Sequence, residues 1–149
     1  MGYFMTGEYR HSIDAKGRLI IPSKLRDALG SRVYVTISID KCLSVYSIEE
    51  FGKFTENLKD QIDTSTAEGR KIRRSFLANA ADCELDSQGR IIIPNNLRNY
   101  AGLGKDVVIV GNMEKAEIWD RARYDEDFDD PDFSQENIAK KVEELHIRL

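Results

Sequence analysis

One stretch of this chain is written twice. Asp14-Ala-Lys-Gly-Arg18-Leu-Ile-Ile-Pro22-Ser-Lys-Leu-Arg26-Asp-Ala-Leu-Gly30 returns seventy-two residues later as Asp86-Ser-Gln-Gly-Arg90-Ile-Ile-Ile-Pro94-Asn-Asn-Leu-Arg98-Asn-Tyr-Ala-Gly102. Asp, Gly, Arg, Ile-Ile-Pro, Leu, Arg and the closing Gly keep their places in both copies. Such a duplication names the structural unit before any propensity is consulted. Each unit, at roughly 45 residues, is too small to bury an adequate core alone, so the two are expected to share one.

Backbone chemistry gives each unit its form. Asp-x-x-Gly-Arg fits a three-residue hairpin loop, a type I turn closed by a left-handed glycine. Asp14 and Arg18, and likewise Asp86 and Arg90, then face each other across the loop. Glu8 to Ile13 reads as the arm entering the first loop, and Leu19-Ile-Ile21 as the strand leaving it. Pro22 ends that strand because it cannot donate to a ladder, and it suits the first position of a short helix. Leu25 and Leu29 share one face of that helix, and Gly30 stops it.

The rest of the chain alternates β and helical patterns. Val33–Ile39 and Leu43–Tyr46 read as strands around an Asp40-Lys-Cys42 turn. The second copy repeats them as Val107–Val110 and Ala116–Trp119 around Gly111-Asn112, with a one-residue slip at the turn. Phe51, Phe54, Leu58 and Ile62 recur at helical spacing. Thr64-Ser-Thr66 offers caps for a second helix through Ile72, Phe76 and Leu77. Tyr124–Asp132 is acidic, contains Pro131 and reads as a mobile segment. Ser134 is placed to cap a last helix bearing Ile138, Val142 and Leu145. The expected organisation is therefore a β-rich repeat at 8–50, a helical connection at 51–79, a second repeat at 80–123, and an acidic segment with a C-terminal helix at 124–149. The fold class is mainly β with helices (α+β), the two units pairing into a pseudo-symmetric barrel or sandwich.

Composition narrows the function. No apolar run approaches the roughly 20 residues a membrane helix needs, so no membrane partner is expected. The N-terminus lacks the basic start and apolar core of a signal peptide, which suggests a cytoplasmic protein. Cys42 and Cys83 show no metal-ligand spacing and read as reduced, buried residues. Net charge is −4, but residues 121–149 hold five Lys/Arg against nine Asp/Glu, and the remaining 120 residues balance. A neutral body can still present a basic face.

No catalytic, metal or cofactor motif stands out. There is no Gly-x-Ser-x-Gly, phosphate loop or His-Glu-x-x-His, and no paired Cys-x-x-Cys. His11 and His146 sit in unlike contexts, His11 as a strand residue. An enzyme using the Asp/Arg pairs is disfavoured because no base or cofactor loop accompanies them. The duplicated loops are the candidates. A structural ion pair accounts for Asp14/Arg18 and Asp86/Arg90, but not for Lys16 and Gln88 at the tips. Arginine's fork suits phosphate and the guanine edge, and glutamine suits adenine. On the residues alone, structural and nucleic-acid readings both stand.

The Asp14–Pro22 stretch, its echo at Asp86, the preceding Gly7-Glu-Tyr-Arg-His11 and Ala116-Glu-Ile-Trp-Asp120 together resemble the MraZ family of bacterial transcriptional regulators. The resemblance covers about residues 5–123. It implies two SpoVT–AbrB-like units in a swapped-hairpin β-barrel and a ring-like homo-oligomer. It also implies binding to double-stranded DNA, at short direct repeats upstream of the protein's own cell-division and cell-wall operon. The implied location is cytoplasmic and nucleoid-associated. The DNA-binding residues it implies are Asp14, Lys16 and Arg18 in the first loop and Asp86, Gln88 and Arg90 in the second, with no cofactor. The rival is a non-enzymatic, antitoxin-like interaction module whose acidic tail wraps a basic partner.

Overall fold

The computed structural model describes residues 4–149. Among these residues eight strands and six α-helices follow the duplicated order, so the fold is a mixed α/β one rather than the mainly β one expected. The first unit contributes β1 (Glu8–Ser12), β2 (Arg18–Ile20), α1 (Ser23–Leu29), β3 (Arg32–Ile37) and β4 (Leu43–Ser47). α2 (Ile48–Gln61) and α3 (Ala67–Ala78) follow it. The second unit contributes β5 (Ala81–Glu84), β6 (Arg90–Ile92), α4 (Asn95–Ala101), β7 (Asp106–Asn112) and β8 (Lys115–Asp120), then α5 (Arg121–Phe128) and α6 (Gln135–Glu144).

The units exchange strands. β1 pairs with β7, with His11 opposite Val107. β5 pairs with β3, with Cys83 opposite Val33. β2 pairs with β6. The arms flanking each Asp loop, expected to pair with one another, close only the turn itself and then diverge to the other unit. Three-residue strands ended by proline are too short to make a stable hairpin alone, and crossing over buries both apolar faces together.

Strand order in the larger sheet is β1-β7-β8-β4-β3-β5, which reads the same from either end once repeats are interchanged. The smaller sheet is the two-stranded β2–β6 ribbon. Equivalent strands meet in two ladders, centred on Ser44 opposite Glu117 and on Leu19 opposite Ile91. A local two-fold axis therefore runs through both pairs. One core lies between the sheets, built from Leu19, Ile21, Val33, Val35 and their counterparts Ile91, Ile93, Val107, Ile109. Leu25, Leu29, Leu97 and Ala101 of the short helices complete it.

Local signals mostly act where the sequence placed them. Thr66 Oγ1 accepts the Gly69 amide at 3.0 Å and caps α3. Pro22 and Pro94 fall one residue earlier than expected, as N-caps of α1 and α4 with extended ψ of 136° and 150°. Phe51 stacks on Tyr34 at 4.2 Å, and Phe54 packs between Tyr46 and Phe76, seating α2 and α3 on β3 and β4. Cys42 and Cys83 are free and buried, and burial raises their thiols to about 12 and about 11.

The acidic stretch departs from expectation. Instead of a mobile segment it begins with α5, which occupies the place in the second unit that α2 occupies in the first. Each helix follows its strand directly, capped by Ser47 Oγ in one and by the Asp120 carboxylate in the other. Tyr46–Phe51 and Trp119–Tyr124 are matching aromatic pairs, at 6.0 and 5.8 Å. Tyr124 is buried and donates to Glu8 at 2.8 Å, while Arg10 holds Asp125 at 2.8 Å. The acid count hid one buried tyrosine that anchors the whole turn. Ser134 stands at the N-cap of α6, but its side chain makes no capping bond. Ile138 and Leu145 stay exposed, so their stripe is not docked on the body.

Candidate nucleic-acid interface

Both Asp loops are rigid for the same reason. Asp14 Oδ1 accepts the amides of Lys16 and Arg18, each at 2.9 Å, and Oδ2 accepts Arg18 Nε at 2.6 Å. Asp86 accepts Gln88 and Arg90 amides at 2.9 Å and Arg90 Nε at 2.8 Å. The turn closes through the Gly17 amide to the Asp14 carbonyl and the Asp14 amide to the Arg18 carbonyl, both at 3.0 Å. Asparagine and aspartate favour such turns because the side chain replaces a backbone acceptor two residues on. Each arginine is thus gripped at Nε alone. Among the described residues, its two terminal nitrogens have no hydrogen-bond partner.

The glycines answer to two constraints. Gly17 and Gly89 have φ of +79° and +77°, where L residues are strained. A Cβ at Gly89 would also stand 2.4 Å from the Arg26 guanidinium carbon, and one at Gly17 would stand 3.3 Å from that of Arg98. Each loop therefore lies under an arginine from the opposite unit. The sequence reading did not include Arg26 and Arg98 among the site residues, although both persist in the duplication. Arg26 Nε donates to the Ile21 carbonyl at 2.8 Å. Arg98 instead turns to Asn95, which replaces Ser23 of the first unit, and its Nε is left buried without a partner.

The ribbon sets where the loops point. Arg18 faces Ile92, Leu19 faces Ile91, and Ile20 faces Arg90. Alternation sends Leu19 and Ile91 into the core and the other four outward. The ladder runs on into the loops, because Ile21 donates to the Gly89 carbonyl at 2.9 Å and Ile93 to the Gly17 carbonyl at 3.0 Å. The outward face accordingly carries Arg18 and Arg90 on one diagonal and Ile20 and Ile92 on the other. Ile20 is 40% exposed and Ile92 62%. Lys16 and Gln88 lie exposed at the two tips. The six residues singled out from the sequence lie three in each loop, and the antiparallel register sets the two loops at opposite ends of the ribbon.

Electrostatics hold the loops through the neutral range. Asp14 and Asp86 are kept below the usual carboxylate range, first by the backbone N–H of Arg18 or Arg90, then by the arginine side chain and the Lys16 or Gln88 amide. Their folded value lies below the unfolded value of about 3.9, so their stabilisation is complete above that pH and is lost as pH falls through the folded value. Amide resonances of Lys16, Arg18, Gln88 and Arg90 should therefore stay constant between about pH 5 and 8 and move only below about 4. An inflection near 5 or above in a nitrogen–proton NMR titration would mean that the carboxylates do not make these bonds.

No group of three or more His, Cys, Asp or Glu residues clusters as a metal site among the described residues. No helix there is long and apolar enough to cross a membrane.

Comparison with known proteins adds a family. A family model described as "MraZ protein, putative antitoxin-like" matches residues 4–75 and again residues 76–148. The chain is similar to a protein of Lachnoclostridium phytofermentans named transcriptional regulator MraZ, with 52% identity over 141 residues, 95% of this chain and 96% of that one. Relatives of the same name from Acetivibrio thermocellus and Caldicellulosiruptor bescii are 45% and 44% identical. Those matches cover 95% and 96% of this chain, and 98% and 99% of theirs.

Proposed function

Because the chain belongs to the MraZ family, we propose that it is a transcriptional regulator that binds double-stranded DNA through the β2–β6 ribbon and its two Asp loops. The carrying observation is the pair of outward arginines, each held at Nε by its own aspartate with both terminal nitrogens unengaged. A guanidinium in that state is oriented in advance for a phosphate or a guanine edge. A two-stranded antiparallel ribbon has the width to enter a major groove. Asp14 and Asp86 orient the cations, while Lys16, Arg18, Gln88 and Arg90 make the contacts.

The same reading takes the sheet and ribbon as two sides of the family's swapped-hairpin barrel and the assembled protein as a homo-oligomeric ring. Exposed Phe128, Phe133, Ile138 and Leu145 are apolar surface available for subunit contacts. A ring presenting many copies of a small basic loop gains affinity through effective concentration, with no new contact. Short direct repeats upstream of the protein's own cell-division and cell-wall operon are the expected target.

The experiment is titration of the intact protein into labelled duplexes with and without upstream repeats, alongside sedimentation of the free protein. Tight, repeat-dependent binding by a multimer is the expected result. Equal binding to both duplexes, or full affinity in a micromolar monomer, removes the respective claim. The rival, a module that binds a basic protein partner, draws on the acidic C-terminal region. Asp125 is already engaged by Arg10, but the remaining acids of that region are exposed. Unaltered DNA binding after truncation beyond Phe128 would separate the two.

A further inference from the structure

The two halves of the ribbon are nearly identical, and what little differs has a consequence for reading DNA. The axis through Leu19 and Ile91 exchanges Arg18 with Arg90, Ile20 with Ile92, and one loop with the other. The loop bonds agree between halves within 0.2 Å, from 2.9 Å for the paired amides to 2.6 and 2.8 Å for the arginine Nε. An interface with two-fold symmetry reads a site whose halves are related by the same symmetry. Arg18, Arg90, Ile20 and Ile92 thus cannot by themselves tell one end of a site from the other.

The tips can. Lys16 and Gln88 occupy equivalent positions, are both exposed, and have no side-chain hydrogen bond among the described residues. Their chemistry differs at the base edge. Lysine only donates, so it favours the two acceptors of guanine, whereas glutamine both donates and accepts and matches adenine N6 and N7. The neighbouring pair, Ala15 and Ser87, is too short to reach as far and Ala15 has no polar atom.

We propose that Lys16 and Gln88 are the residues that give each subunit's DNA site its polarity, the half beneath the first loop favouring guanine and the half beneath the second favouring adenine. This rests on the DNA-binding reading above. Ile20 and Ile92 are the same side chain at matching ribbon positions, so they offer the same chemistry to both halves.

The test is selection of duplexes from a randomised pool by the intact natural protein, by Lys16→Gln and by Gln88→Lys. Each variant places in one loop the side chain that the other loop already carries without strain. The natural protein should enrich an asymmetric unit. Lys16→Gln should enrich a palindromic one built from two copies of the second-loop half, and Gln88→Lys the reciprocal palindrome. The second variant also keeps the result readable if loss of a charge weakens the first. A palindromic unit for the natural protein, or the same asymmetry retained in both variants, overturns the assignment while leaving DNA binding intact. No enriched sequence for the natural protein overturns the DNA-binding reading, and the assignment with it.

Discussion

Alanine at Arg18 should lower affinity for double-stranded DNA by about 5- to 150-fold, the equivalent of roughly 1–3 kcal/mol for one bidentate contact. The fold should be unaffected. Arg18 touches the protein by one side-chain bond, to Asp14, and its side chain is 29% exposed. Removing it leaves Asp14 with the Lys16 and Arg18 amides, so the turn keeps its acceptor. A melting temperature close to that of the natural protein together with weakened binding is the expected pair of results. Early melting that accounts for the lost affinity would make the Asp14–Arg18 pair structural only. Salt extends the test, because the chain is acidic overall. Counterion release depends on the phosphates neutralised at the contact, not on the charge of the whole molecule. An oligomer that neutralises roughly 4–8 phosphates should show a log–log slope on the order of −4 to −7, and Arg18→Ala should make it shallower. Affinity flat across salt would mean that the loops do not meet phosphate, and the protein-partner reading would take its place.

Leu19→Ala should cost about 2–5 kcal/mol of stability, a large share of the roughly 5–15 kcal/mol available to a domain. Leu19 is fully buried and sits opposite Ile91 on the local axis, so its loss opens a cavity in the core that both units share. At about 2–4 °C per kcal/mol for a chain of this size, the midpoint should fall by roughly 4–20 °C. Ile20→Ala is the control. Ile20 itself points outward, 40% exposed, and its truncation should cost under about 1 kcal/mol, since exposed substitutions seldom cost more. Thermal unfolding of the two variants decides the ribbon's orientation. Equal losses would mean that the inward and outward faces have been misassigned.

The sequence by itself determined what is local. A loop closed by Asp and Gly, a strand stopped by Pro, a helix stopped by Gly, and the Thr66 cap each depend on residues within one turn of one another. The repeat added that these elements come in two equivalent sets, and the family's motif drew attention to the two loops. Local spacing could not say which strand pairs with which. The first arm, Glu8–Ser12, carries no mark that it belongs beside Asp106–Asn112, because antiparallel pairing uses backbone groups that every residue but proline has. The partner is chosen by the burial of both units' apolar faces in one core, an energy that exists only once the chain has folded. The same holds for Arg26 and Arg98. Their roles over Gly89 and Gly17 lie more than sixty residues away in the chain and arise only from the exchange. The acidic stretch was misread for the complementary reason: its composition is set by a solvated face, while its place is set by Tyr124, one side chain whose burial depends on Trp119 and Glu8 being brought beneath it.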